Sequence, residues 1–369
     1  MAGIYIHIPF CKQACHYCNF HFSTSLRYKN EFNEALLKEA VLQKDYLQNE
    51  AIETIYFGGG TPSLLESEEL RKQIIHIRSL YSVLSEAEIT LEANPDDITE
   101  KKLIQWKQAG INRLSIGIQS FFEEDLKWMN RAHNTEQALV CLQSAKCHFK
   151  NITIDLIYGM PMLTDEKWKQ NIETAIALSV PHLSCYALTV EEKTPLYKMI
   201  RKHEKEDINP GKQSEQFLLL MEWMENAGYD HYEISNFAKP GFRSRHNSSY
   251  WQGKKYLGIG PSAHSFDGIS RQWNISNNNI YIDSINKGIM PFEKEILTPT
   301  QKLNEYIMTS LRTLEGLNLE KLENEISLKL RDSSRTYIEN GLMIFENEYL
   351  RLTNKGKLMA DGITANLFF

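Results

Sequence analysis

The chain has 369 residues, a formal net charge of −6, 42% hydrophobic and 24% charged residues, a composition with material for a sizeable core. The negative balance argues against a broad nucleic-acid or anionic-membrane surface, and no apolar run reaches the about 18 residues that a membrane span needs. Met1-Ala2-Gly3-Ile4-Tyr5 lacks the basic start of a secretory signal, so a cytoplasmic chain that binds no nucleic acid is expected.

Through the first half, short β-rich runs alternate with helix-period segments. Gly3–Ile8 reads as a strand, followed by a cysteine-bearing loop and a helix over about Lys29–Gln48. Glu53–Phe57 is the next strand, ending at Gly58-Gly59-Gly60. A helix near Ser67–Leu80 leads to a strand over Glu88–Glu92, stopped by Asn94-Pro95. Helix Glu100–Gln108 ends at Gly110, the usual left-handed stop. Asn112–Ile118, Asn151–Tyr158 and His182–Ala187 read as three further strands with helices between them. Such repetition predicts a parallel sheet with right-handed crossovers. Six units by about residue 190 predict an α/β fold built on a partial (β/α)6 barrel. No G-x-G-x-x-G stands at the first strand–helix turn, which leaves a dinucleotide-binding domain little support. Sites in parallel barrels gather at the C-terminal ends of strands, where the cysteine loop, the glycine run, Glu92 and Gln119 all fall.

Beyond Gly211 the rhythm changes. A long helix, Gln213–Asn226, precedes the run Tyr232-Glu233-Ile234-Ser235-Asn236-Phe237 and a Gly/Ser/Asn-rich stretch to about residue 290. Helices follow from Thr298, then two short strands flank Glu346-Asn347-Glu348 as a hairpin, and a last helix closes the chain. The expected units are a barrel core over 1–210, a barrel extension over 211–296, and a small helical, winged-helix-like domain over 297–369.

Six cysteines are present, and three of them crowd into Cys11-Lys12-Gln13-Ala14-Cys15-His16-Tyr17-Cys18. In a reducing compartment such crowding reads as metal binding rather than cross-linking. The spacing C-x3-C-x2-C suits three corners of a cubane cluster, and no fourth cysteine follows nearby to saturate it. A structural zinc site completed by His16 or His21 is the competing reading. Cys141, Cys147 and Cys185 read as core thiols. Met221, Trp223 and Met224 likewise read as packing.

This cysteine loop after a first strand resembles the signature of the radical S-adenosylmethionine (SAM) superfamily. The resemblance extends to the oxygen-independent coproporphyrinogen-III oxidase subgroup through Tyr5-Ile6-His7-Ile8-Pro9-Phe10-Cys11, Gly58-Gly59-Gly60-Thr61-Pro62, Glu92-Ala93-Asn94-Pro95, Gly117-Ile118-Gln119-Ser120 and Asp155-Leu156-Ile157-Tyr158-Gly159-Met160-Pro161. It implies a [4Fe–4S] cluster on Cys11, Cys15 and Cys18, whose open iron chelates SAM, and an electron donor such as flavodoxin or ferredoxin. It also implies that Gly60 and Thr61 approach the methionyl group, and that Tyr5 and Tyr17 lie near the cluster and adenine. Gln119, Arg131 and Asp155 are then expected to contact polar groups of SAM, with Ala187 and His264 at further pocket positions. Glu92 and Asp155 are carboxylates on otherwise apolar strands, costly to bury unless paired. A sulfonium or ribose hydroxyls would serve, and so would ion pairs to Arg113 or Arg131. His7 reads as a satisfied core histidine.

Two features separate the chain from the oxidases it resembles. Phe20 stands where they carry a further cysteine, and the first strand begins at residue 3 with no leading segment. A third feature is His246-Asn247-Ser248-Ser249-Tyr250-Trp251, an H-N-x-x-Y-W run that resembles the signature of the radical SAM heme chaperones. The resemblance implies heme as a ligand, with His246 on the iron and Asn247, Tyr250 and Trp251 beside the macrocycle. His246 is expected on a surface neighbouring the SAM site. Heme would then pass to an acceptor protein, membrane-bound ones included. The alternative is an oxidase that decarboxylates the propionates of coproporphyrinogen III with SAM.

Overall fold

Six parallel strands lie side by side in chain order: β1 (Ala2–Ile8), β2 (Ile52–Gly59), β3 (Val83–Ala93), β4 (Arg113–Gln119), β5 (Asn151–Tyr158) and β6 (His182–Ala187). The structure is a computed structural model and describes residues 1–369. All seven residues of β4 are buried, the mark of a parallel strand covered on both faces. The helices between them turn one apolar stripe inward. In Ser67–Leu80 that stripe is Leu70, Ile74 and Ile77, and Glu66 with Glu69 closes a capping box at the start. Helix Glu100–Ala109 is capped by Thr99 and stopped by Gly110 at φ 105°. The first helix ends at Leu42 rather than Gln48, and turns over 43–49 follow, with Gln48 and Asn49 in the left-handed region.

The sheet does not stop at the six expected units. Beyond β6 lie β8 (Asn236–Ala238) and, at the edge, β7 (Asp230–Glu233), both antiparallel to their neighbours. On the other side β9 (Tyr256–Ile259) pairs parallel with β1, and β10 (His264–Phe266), β11 (Ser270–Asn274) and β12 (Phe292–Ile296) continue antiparallel. The result is one twelve-stranded sheet with β12 and β7 at its two edges, so the barrel is left open. The Gly/Ser/Asn-rich stretch thus carries three short strands, β9 to β11, and two short helices, Arg245–Trp251 and Asn278–Asn286. The extension is tied in by Glu39 of helix Lys29–Leu42, which accepts from Asn274 Nδ2 (2.6 Å), the Gly260 amide (2.7 Å) and the Tyr281 hydroxyl (2.5 Å). Met221 and Met224 are buried and Trp223 packs against the core.

The C-terminal unit has its own core, including Ile307, Leu311, Leu330, Leu350 and Ile363. Helices Pro299–Leu311, Asn324–Glu339 and Ala360–Asn366 pack on a three-stranded sheet of β13 (Leu317–Asn318), β14 (Met343–Glu346) and β15 (Tyr349–Leu352), with β15 central. Asn347 and Glu348, at φ 50° and 65°, turn the expected β14–β15 hairpin. Backbone bonds Ile234 N to Arg312 O (3.1 Å) and Leu314 N to Tyr232 O (3.0 Å) fasten this unit to the barrel. No helix is long and apolar enough to cross a membrane.

Candidate functional site

The loop after β1 is held by short backbone bonds. Cys11 N donates to Ser23 O (3.0 Å), Ser23 N to Pro9 O (2.7 Å) and His16 N to Met129 O (3.1 Å). These fix Cys11, Cys15 and Cys18, all half-buried, at one side of a cavity of about 430 Å³. The ends of successive strands supply the rest of its wall: Gly60 and Thr61 after β2, Glu92 on β3, Gln119 on β4, Asp155 on β5 and Ala187 on β6. Tyr17 and Arg131 complete it. Burial pushes the Cys11 thiol up to about 11 and raises Cys18 as well, so metal binding at these thiols would release protons. The histidines of the zinc reading are engaged elsewhere: His16 Nδ1 lies 3.1 Å from Trp128 O and His21 Nε2 lies 2.7 Å from Asn278 Oδ1.

Arg131 organises the wall. Its Nη1 donates to Cys15 Sγ (3.3 Å) and Tyr17 Oη (3.5 Å), and its Nη2 to Asn94 Oδ1 (2.6 Å) and Gly117 O (2.9 Å). Asn94 Nδ2 passes on to Thr61 Oγ1 (3.1 Å), whose hydroxyl points at Cys11 Sγ (3.5 Å). Two thiols are therefore joined through one chain of donors, of a kind that stabilises thiolate charge. Asn94 was not among the expected site residues. Its position two residues after Glu92, past the end of β3, is the signal that marks it. Gln119, the last residue of β4, sits at φ 68°, a left-handed conformation uncommon for any residue but glycine.

The two carboxylates are not paired with cations. Glu92 accepts from the Tyr56 hydroxyl (2.8 Å) and the Gly59 amide (3.1 Å). Arg113 instead faces Glu88 at 3.9 Å and bonds Thr153 Oγ1. Burial pushes Glu92 up to about 7, opposed by the Tyr56 bond, while the charge of Asp155 adds to the rise. Burial likewise pushes Asp155 up to about 6, opposed by the Ser184 hydroxyl and the charges of Arg113 and Arg131. With the Arg113 and Arg131 ion pairs absent, the wall presents carboxylates to the cavity that a cation would pull back into ionised form.

Other expected residues fall outside this cavity. Tyr5 and His264 line an adjoining hollow of about 440 Å³, together with Phe20 and Tyr250. His7 is the satisfied core residue expected, with Nδ1 3.1 Å from the Tyr5 hydroxyl and Nε2 3.0 Å from His21 O. The expectation that His246 faces a neighbouring surface is corrected. His246 is 1% exposed, on a short helix, Arg245–Trp251, whose N-terminus is capped by Ser244. Glu88 accepts from the backbone amides of Arg245 (3.3 Å) and His246 (3.1 Å). The His246 ring stacks on Tyr56 at 4.9 Å. Its Nδ1 meets Thr54 Oγ1 at 2.7 Å and its Nε2 meets the Tyr250 hydroxyl at 2.8 Å. Helical spacing explains the burial: residues i and i+4 share a face, and that face lies on β1 and β2. Burial pushes His246 down to about 3, so the imidazole is neutral. Asn247 is half-buried, and Trp251 with Tyr250 lines a different, larger cavity. Cys141 and Cys185 are buried as expected of core thiols, whereas Cys147 is exposed on the outer face of its helix.

A model of the radical SAM superfamily matches residues 5–175, and a model of the HemN C-terminal domain matches residues 297–359. The heme chaperone HemW of Bacillus subtilis (strain 168) is 33% identical over 371 residues, covering 98% of this chain and 98% of that protein. The heme chaperone HemW of Escherichia coli (strain K12) is 36% identical over 268 residues, covering 71% and 69%. Among solved structures, the coproporphyrinogen III oxidase HemN from Escherichia coli superposes with a TM-score of 0.86 at 22% identity, covering 100% of this chain and 90% of that one. At that identity the likeness speaks for the fold.

One position in this site tests how tightly the strand end is built. A Cβ on Gly60 would come within 2.6 Å of Phe10 O and 2.9 Å of Ile8 O, backbone that leads into Cys11. Gly60→Ala is expected to lower the unfolding free energy by about 1–3 kcal/mol, the usual cost of overpacking. Gly362→Ala, in a helix with nothing within 4 Å of the new carbon, should be neutral or gain up to about 1 kcal/mol. Urea denaturation of the two variants checks this, and equal stabilities would show that the loop yields freely.

Proposed function

The chain belongs to the HemW heme-chaperone family of the radical SAM superfamily, and on that premise we propose that it holds a [4Fe–4S] cluster on Cys11, Cys15 and Cys18, binds SAM beside it, and carries heme at the Arg245–Trp251 helix for delivery to an acceptor protein. The observation that carries this reading is the meeting of three thiols and two unpaired carboxylates in one cavity whose single cation is Arg131. A cationic ligand suits those walls. When bound, the cluster supplies an electron and an open iron site to SAM. The chain's own residues do the positioning: Gly60 lets the backbone approach the ligand, Glu92 and Asp155 meet its positive charge, and Gln119, Tyr17 and Ala187 shape the space. An electron donor such as flavodoxin or ferredoxin and an acceptor protein, membrane-bound ones included, are the partners this function needs.

The oxidase reading is disfavoured by Phe20, which is 68% exposed where the oxidases it resembles carry a cysteine. Anaerobic heme loading followed by transfer to candidate apo-proteins is the experiment that tests the chaperone. Coproporphyrinogen III incubated with the loaded protein, SAM and reductant should stay unconsumed, and its decarboxylation would restore the oxidase.

Reconstitution should give about four irons and four sulfides per chain. Alanine at Cys11, Cys15 or Cys18 should abolish the iron–sulfur absorbance, while alanine at Cys141, Cys147 or Cys185 should leave it. Stoichiometric zinc without that absorbance would return the site to structural metal.

The carboxylates make SAM binding pH-dependent. Below about 6 both are protonated, and their attraction for a cation is absent. As the pH rises through about 6 to 7 they ionise and binding strengthens. Affinity should therefore rise from about pH 5.5 and level off above about 7, with a slope of up to about tenfold per pH unit for each proton released on binding, and Glu92→Gln should flatten the curve. Isothermal titration of the reconstituted protein reads both, and an unchanged profile in the variant would assign the dependence elsewhere.

His246 is the nitrogen that the H-N-x-x-Y-W helix offers to heme iron, and Tyr250 holds it. Ligation then requires the 2.8 Å bond between His246 Nε2 and the Tyr250 hydroxyl to open. Tyr250→Phe removes a competitor worth about 0.5–1.5 kcal/mol, so heme affinity should rise by up to about tenfold. His246→Ala should shift the Soret band and weaken binding while the iron–sulfur absorbance persists. A Soret band that stays in place in His246→Ala would make His246 a core residue only.

A further inference from the structure

A cavity of about 1110 Å³ opens between the barrel and the C-terminal unit, larger than the about 300–1,000 Å³ of ordinary small-ligand pockets. It is independent of the strand-end cavity, with no lining residue in common. Its walls are fixed. Arg271 of β11 makes a two-pronged pair with Glu305 of helix Pro299–Leu311 at 2.7 and 2.9 Å. Arg243 reaches Glu315 at 2.8 Å, and Lys254 reaches Glu53 at 2.5 Å. Those three pairs occupy every carboxylate of the cavity. Three further cations remain: Arg245, which donates to Glu86 O and stands 4.0 Å from the already paired Glu53, and Lys302 and Lys321, which have no carboxylate at all. In a chain of net charge −6, this is a local excess of positive charge. The barrel wall between the cations is aromatic. Tyr250 and Trp251 come from the H-N-x-x-Y-W helix and Tyr256 and Phe266 from the sheet, and the Arg312 guanidinium stands 5.5 Å over the Trp251 ring.

We propose that this cleft is a porphyrin site: it takes a flat aromatic dicarboxylate, with the ring along Tyr250 and Trp251 and the carboxylates on Lys302 and Lys321. The proposal rests on the heme-carrying function above and deepens it, because heme is such a molecule. Size, flat apolar walls and two free ammonium groups match the ring and its two propionates, and the pinned walls mean that little ordering is needed on binding. Tyr250 belongs to both the cleft and the His246 hydrogen bond. A ring seated there lies against the side chain that must move for His246 to reach iron.

The test uses the full chain titrated with hemin, with metal-free protoporphyrin IX and with protoporphyrin dimethyl ester, followed by absorbance and fluorescence at low and high salt. Protoporphyrin IX should bind at about one per chain without any iron ligation, and the dimethyl ester about tenfold or more weakly. The double variant Lys302→Glu/Lys321→Glu should weaken hemin and protoporphyrin IX by about tenfold, as two exposed charge contacts would, and should lose most of the salt dependence. Both lysines are exposed, so an unchanged melting temperature should accompany the loss. Hemin bound equally by wild type and double variant overturns the cleft while leaving the heme-carrying function. Lysine-dependent protoporphyrin binding with no transfer of heme to any acceptor overturns that function and leaves the cleft. Failure to bind either porphyrin overturns both.

Discussion

The strand-end cavity depends on one guanidinium. Arg131 is the only cation among its lining residues, and it faces three thiols and the carboxylates of Glu92, Asp155 and Glu191. Its donors reach Cys15, Tyr17, Asn94 and the Gly117 carbonyl, so it fixes the cysteine loop against the ends of β3 and β4. Hydrogen bonds to ionised acceptors are stronger than those between neutral groups, so the chain from Arg131 through Asn94 and Thr61 would tighten with the thiols ionised on the proposed cluster. It does not neutralise the cavity. Glu92 and Asp155 have hydrogen-bond donors but no cationic partner of their own, so a cationic ligand of the kind proposed would balance the wall without an internal ion pair.

The two cavities carry opposite signs, and one stack of rings joins them. The strand-end cavity is acidic, and the interdomain cleft has cations to spare. Between them Tyr56 donates to Glu92, its ring stacks on His246 at 4.9 Å, and His246 meets Tyr250. Buried polar chains of this kind are stable only when every member is satisfied, and here Thr54 and Glu88 satisfy the remaining groups of His246. The histidine is thus part of the packing of the barrel as well as of the helix that lines the cleft.

Much of this was legible in the sequence. Strands β5 and β6 fall on the residues expected of them, and β1 to β4 overlap theirs, because long apolar runs bounded by Gly, Asn and Pro leave little freedom. The strand-end rule for parallel barrels also gathers the cysteine loop, the glycine run, Glu92 and Gln119 from the sequence alone. Strands β7 to β12 escaped because all six are only three to five residues long, too short for a period to register. Tyr56 and Asn94 escaped because their roles are hydrogen bonds to other site residues, which spacing does not reveal. Tyr5 and His264 were assigned to the SAM site and lie in the hollow beside it. The burial of His246 was missed because a seven-residue helix carries too little pattern to tell its inner face from its outer one.

A heme carrier of the kind proposed must release what it binds, and the proposed contacts are weighted toward release. Exposed lysine contacts contribute at most about 1 kcal/mol each and weaken with salt, so a porphyrin held by Lys302 and Lys321 leaves on modest competition. His246, the iron ligand proposed above, is under similar restraint. His246 already has a partner on each nitrogen, and ligation must displace the Tyr250 hydroxyl before it gains a metal bond, which lowers the net affinity by the strength of the bond broken. A catalytic pocket would be built the other way, enclosed and with its ligands free. As the proposed porphyrin site, the interdomain cleft, ion-paired at its edges and with two free lysines, would combine selection for a flat dianion with weak contacts that let it go.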